Sequence, residues 1–196
     1  MEDFMNIGFD FDGVILDSET QFSFLAEYWS YFSLNKQRLK KDDVALENCF
    51  DWTHEEFEQF YETLFHEGTT KSNFMVGAKE ILEKLRQDGH KLYVISRRGF
   101  YHEHEIKSAL PKLQEFGFEF DDVFFSIDKK LEKCKELNIS IMVEDNPDNL
   151  KPFLKSNIKS IYLRAKTIKQ LKHKNVEEAD SWMDIYKIIK KHNKVI

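Results

Sequence analysis

The chain is poor in the residues that build covalent or modular frameworks. Two cysteines, Cys49 and Cys134, stand far apart with no CxxC spacing, which excludes a disulfide scaffold or a cysteine zinc site and fits a reducing compartment. Three prolines and seven glycines in 196 residues never gather into a linker. There is no internal repeat and no low-complexity tract. No window approaches the length of a membrane span, and "MEDFMNIGFD" lacks the basic leader and apolar run of an export signal. The expectation is a soluble cytoplasmic protein. The net charge of −6 argues against a protein that coats nucleic acid. The charge is uneven: from Lys151 onward 12 basic residues meet 4 acidic ones, making that stretch +8 and the remainder −14. Lysine-rich solvated helix faces account for it better than a phosphate-attracting patch.

Apolar residues, by contrast, are plentiful. Hydrophobic residues make up 41% and aromatics 14%, enough for a packed core, and the length suits one α/β domain with a modest insertion. "NIGFDF" reads as a first strand broken by Gly13. From Glu19 to Asn73 the pattern is helical. "TQFSFLAEYWSYF" carries aromatics on one face, and Thr53 with Glu56 forms a capping box ahead of "HEEFEQFYETLF". "KKDDVALENCFD" between them reads as a short helix or turn. Phe22, Phe24, Tyr28, Trp29 and Tyr31 read mainly as the core of this segment. Beyond it, helices and strands alternate: "GAKEILEKLRQDG", "HKLYVIS", "YHEHEIKSALPKLQEFG" interrupted at Pro111, "DDVFFS", "DKKLEKCKELN", "ISIMVEDN", a helix opened by Pro147, "IKSIYLR" and "DSWMDIYKIIKK". Such alternation implies βαβ units and a mostly parallel sheet, whose ligands lie beyond the carboxyl ends of the strands.

Those ends carry the chemistry. Asp10 and Asp12 end the first strand. Positions i and i+2 share a face, about 7 Å apart, and two buried acids side by side are costly without a cation. "KLYVIS" ends in Ser96, followed by Arg97 and Arg98. "ISIMVEDN" ends in Glu144 and Asp145. Lysines 129, 130, 133 and 135 precede that strand. Acids for Mg2+, a carboxylate nucleophile and donors for phosphate oxygens form an inventory suited to phosphoryl transfer. Asp148 and Asn149 read as helix-start residues. His102 and His104 form an HxH pair, but i and i+2 diverge on a helix, so both are expected in solvent.

"DFDGVILDS" resembles the first motif of the haloacid dehalogenase (HAD) superfamily, "KLYVIS" its second, and "MVEDNPDN" its fourth. "DKKLEKCKELNISIMVEDNPDN" is similar to the nucleotidase-like branch, in which the third-motif lysine opens the helix before the last acidic strand; that selects Lys130. The resemblance spans the chain. It implies a HAD-like Rossmannoid parallel sheet flanked by helices (residues 1–18 and 74–196) with a small all-helical cap (19–73) inserted after the first strand. It further implies Asp10 as nucleophile, Asp12 as general acid and base, and Mg2+ on Asp10, the Asp12 carbonyl and Asp145, supported by Glu144. Ser96, Arg97 and Lys130 would hold the phosphoryl group. The substrate expected is a nucleoside monophosphate or similar small phosphate ester, with no stable nucleic-acid or membrane partner. Two alternatives stay open: a sugar-phosphate or other small-metabolite phosphatase or phosphomutase, and a non-catalytic binding module of the same fold. The oligomeric state is not readable.

Overall fold

The computed structural model describes residues 4–40, 46–164 and 170–193, and side chains from 48 onward in the second stretch. Its centre is a six-stranded, wholly parallel sheet. The strands are β1 (Asn6–Phe9), β4 (Lys91–Ile95), β5 (Asp122–Phe124), β6 (Ile139–Glu144), β7 (Lys159–Leu163) and β8 (Val176–Ala179). Their order is β5-β4-β1-β6-β7-β8, which puts β1 between β4 and β6. Ile7, Phe9, Val94 and Val143 are fully buried on one face and Ile95 and Met142 on the other, so the sheet is covered on both faces as parallel sheets require. The flanking helices are α4 (Ala78–Gln87), α5 (His104–Phe116), α6 (Lys130–Glu136), α7 (Pro147–Leu150) and α8 (Trp182–Asn193). Trp182 of α8 stacks on Phe9 with centroids 5.4 Å apart, and its indole N–H donates to the Val14 carbonyl at 2.8 Å. The closing helix is thereby tied to the loop that carries the first acid pair.

Between β1 and β4 the chain makes an excursion. It leaves through β2 (Leu16–Asp17) and returns through β3 (Asn73–Phe74), which pair antiparallel, Asp17 opposite Asn73. Between them lie α1 (Ser18–Leu34), α2 (Leu46–Cys49) and α3 (His54–Lys71). Asp17 caps α1 by accepting the Thr20 N–H, and Asn35 ends it in the left-handed conformation. The Thr53–Glu56 capping box starts α3, and Glu56 also binds Lys36 at 2.7 Å. This segment has its own apolar cluster, Phe22, Leu25, Ala26, Cys49, Phe50, Phe60 and Phe65. Among the described residues no helix is long and apolar enough to cross a membrane.

The structure corrects several expectations. The helical segment is bounded by the β2–β3 ribbon, whose strands of two residues are too short to show a period. β8, "VEEA", reads poorly as a strand because of its acids. Glu177 binds Lys191 and His192 of α8, while Glu178 lies 3.5 Å from Arg164, so both charges are met at a sheet edge. Helix α5 runs through Pro111 without interruption. Pro111 is on the solvent side, as is Lys107, whose carbonyl loses its helical partner. Ser108, Ala109, Lys112 and Phe116 stay buried on the other face, and packing overrides the local penalty. Phe24, Tyr28 and Tyr31 are exposed rather than core, whereas Phe22 is buried. They sit on the outer face of α1, where aromatic spacing alone cannot separate inside from outside. His102 precedes α5 rather than lying on it, half-buried and 3.8 Å from Glu58 of α3. Of "KKDDVALENCFD", residues 41–45 lie outside the described residues.

Candidate active site

The carboxyl ends of β1, β4 and β6 open into a cavity of about 340 Å³. Asp10 follows directly on β1, its N–H donating to the Val143 carbonyl of β6 at 3.0 Å. One oxygen of its buried carboxylate accepts the Phe11 N–H at 2.7 Å; the other meets Lys130 Nζ at 2.7 Å. Lys130 opens α6 and is itself buried, its ammonium also bound to Glu144 at 2.6 Å. Its neighbours go elsewhere: Lys133 pairs with Glu136, and Lys129 lies 3.8 Å from Glu132. Glu144 also accepts the Asn146 N–H at 3.2 Å.

Gly13 turns the chain just beyond the acid pair at φ +69°. A Cβ there would fall 1.8 Å from Asp145 Oδ2, so the first loop and the Asp145 carboxylate approach each other only because residue 13 has no side chain.

Charge accounting shows what this corner is built for. Asp10, Glu144 and Asp145 each place a carboxylate oxygen within 4.8 Å of the others. Fully ionised, and counting Lys130, they would carry −2 at the floor of the cavity, with Asp10 and Glu144 buried. Burial and the nearby Glu144 charge push the Asp10 carboxyl up to about 7 despite Lys130. Burial, with Glu144 and Asp10 close by, drives Asp145 well above the carboxylate range. Glu144 is also penalised by burial, but the Lys130 ammonium outweighs that and holds it low. Hard oxygen donors with an excess of two negative charges fit a divalent cation.

Ser96, just after β4, is buried; its hydroxyl accepts the Arg98 N–H at 3.2 Å. Arg97 and Arg98 diverge. The Arg97 guanidinium lies at the surface on Asp128 (2.9 Å) and Tyr101 (3.1 Å). Arg98, by contrast, is buried: its Nε donates to Asp12 Oδ2 at 2.8 Å, a terminal nitrogen to Asp12 Oδ1, and the other to Thr69 Oγ1 of α3 at 2.7 Å. Burial works against the Asp12 carboxylate, but Arg98 prevails and keeps its pKa low. In the sequence Arg98 reads either as able to reach substrate or as another surface arginine after a strand, and its pairing with Asp12 is not seen. The signal available was the need of a sheltered Asp12 for a cation. The helical segment supplies the opposite wall through Phe22, Tyr61 and Phe65.

Residues 4–195, nearly the whole chain, match the family described as 5' nucleotidase, deoxy (pyrimidine), cytosolic type C. The protein belongs to that family. Its fold is shared by solved HAD-superfamily hydrolases. A haloacid dehalogenase-like hydrolase of Streptococcus pneumoniae superimposes with a TM-score of 0.70 at 14% identity, covering 96% of this chain and 100% of that one. A magnesium-bound HAD hydrolase of Bacillus subtilis gives 0.64 at 16% identity, covering 96% and 100%. In sequence, a candidate nucleotidase of Bacillus cereus is 26% identical over 200 residues, covering 95% of this chain and 99% of its own. Membership makes this nucleotidase-family protein a phosphoric monoester hydrolase.

Proposed function

We propose that the protein hydrolyses a nucleoside monophosphate through an aspartyl-phosphate on Asp10. The observation that carries this reading is that aromatic side chains from both long helices of the insertion share one cavity with the Asp10–Asp12 pair. Tyr61 stacks on Phe65 with centroids 5.0 Å apart, and Phe65 meets Phe22 at 4.9 Å. Such a wall suits a flat, apolar ring system beyond the phosphate.

In this mechanism an Asp10 oxygen forms a bond to phosphorus as the ester oxygen departs with its electron pair; Asp12, ionised against Arg98 in the resting site, takes up the proton of the phosphate monoanion as the substrate enters and passes it to that oxygen. Asp12 then takes a proton from a water that attacks the phosphoryl group, releasing phosphate and restoring Asp10. Lys130 sits against Asp10, and Ser96 lies at the same rim; both are donors for phosphoryl oxygens, with the Arg97 backbone N–H beside them. Asp10, Asp145 and the Asp12 carbonyl would hold Mg2+, with Glu144 in support; when bound, the ion would neutralise charge between phosphate and carboxylates. Residues 19–73 act as a cap that shields the reaction from water.

Phosphate release from a panel of nucleoside monophosphates and sugar phosphates, with Mg2+ or with chelator, tests the whole. Asp10→Asn should abolish turnover while leaving the melting temperature near that of the parent; substantial residual turnover removes Asp10 as nucleophile. Tyr61→Ala should lower kcat/KM for a nucleotide about tenfold to a hundredfold, the worth of one lost base stack, and leave a sugar phosphate nearly unaffected. An unchanged ratio would remove the support for a nucleotide.

A further inference from the structure

Arg98 is bound to three things at once, and they belong to different parts of the molecule. It grips both oxygens of Asp12, the second acid of the core loop. It donates to Thr69 Oγ1, a fully buried hydroxyl near the end of α3. Its guanidinium carbon also lies between two rings, 4.8 Å from the centroid of Phe65 on α3 and 5.3 Å from that of Phe11 in the core. A buried arginine that only fastened the insertion to the core would be satisfied by any sheltered carboxylate. This one lands on the acid that opens into the cavity two residues from Asp10, and it approaches through the aromatic wall on which a substrate would rest.

A carboxylate held by a two-pronged guanidinium has few orientations left. Where the guanidinium sits is fixed in turn by Thr69 and Phe65. We propose that Arg98 is a positioning residue that couples the seating of α3 to the aim of the Asp12 carboxylate, so that proton transfer is set up only when the insertion is in place. This rests on Asp12 being the proton-transfer group, and so deepens the function proposed above.

The test separates coupling from a structural role by the leaving group. Turnover of an alkyl ester, such as a nucleoside 5'-monophosphate, needs a proton on the departing oxygen, whereas p-nitrophenolate leaves without one. General acid help is worth about 10²-fold or more. In Arg98→Met, which also lifts the charge that keeps Asp12 ionised, loss of aim should still lower the ratio of kcat/KM for the alkyl ester to that for p-nitrophenyl phosphate about a hundredfold; a raised ratio would overturn the coupling and make Arg98 a restraint on the acid. Thr69→Val keeps the shape and the buried site but removes the hydroxyl, and should lower the same ratio about three- to tenfold in a folded protein. Equal losses on both esters in both variants would overturn the coupling and leave Arg98 a structural tie. Asp12→Asn isolates the underlying reading. If it lowers the ratio while Arg98→Met and Thr69→Val do not, only the coupling fails; if Asp12→Asn itself hits both esters equally, the role of Asp12 fails and the coupling with it. In Asp12→Asn/Arg98→Met, the ratio should fall no further than in Asp12→Asn alone.

Discussion

Asp10, Asp12, Ser96, Glu144 and Asp145 could be placed at one rim from sequence, because strand ends in a parallel sheet share an edge and the motifs fall at those ends. Resemblance singled out Lys130 among four lysines, but that it meets both Asp10 and Glu144, and that Arg98 rather than Arg97 meets Asp12, could not be read from residue types. Lys130 and Arg98 are each one of several adjacent basic residues, and only the turn of the backbone decides which points inward. Gly13 is a sharper case. The sequence marks it as the end of a strand, while the structure makes it the contact between the acid loop and Asp145. Gly13→Ala should fail twice, through the positive φ and through the Cβ directed at the Asp145 carboxylate. The expected outcome is a loss of turnover beyond about a hundredfold, only partly relieved by raising Mg2+. Wild-type kinetics in that variant would show that the loop can retreat without harm to the site.

At the level of elements, readings resting on caps and long periods fared best. The Thr53 capping box was readable because its two partners are three residues apart, and it is present in the structure with both bonds formed. Readings that depended on distant neighbours fared worst: β8 exists because β7 lies beside it, and α5 passes Pro111 because its opposite face is buried. Thr53→Ala removes the acceptor for the Glu56 N–H and should cost about 1 kcal/mol, felt mainly within the insertion. Hydrogen exchange should quicken at the start of α3, with turnover within about twofold of the parent. Uniform faster exchange across the sheet would mean that the insertion and core unfold as one unit.

For the whole molecule, the site's charge balance links stability to pH. In the metal-free protein Asp10 holds its proton up to about pH 7, whereas in the unfolded chain it loses it near 3.8. The folded state therefore binds the extra proton between these values, and this contribution to stability is lost as pH rises through that window. Asp145 acts in the same sense. With chelator, the melting temperature should be lower at pH 8 than at pH 5.5, and Asp10→Asn should flatten that dependence. Added Mg2+, which favours the ionised carboxylates, should raise the melting temperature more at pH 8 than at pH 5.5. A larger Mg2+ effect at the lower pH would contradict the assignment. The parallel α/β class and the order of most elements were readable from alternation alone, but the fastening of the helical segment was not, since β2 and β3 are two residues long. That small ribbon reaches beyond this one chain. Because Asp17 and Asn73 face each other, everything between them begins and ends at a single spot, and the catalytic strands meet the same short hairpin whatever its loop contains. A lineage can thus lengthen, shorten or exchange most of this segment while the ends of β1, β4 and β6 stay in place, provided that the Thr69 and Phe65 contacts to Arg98 are kept.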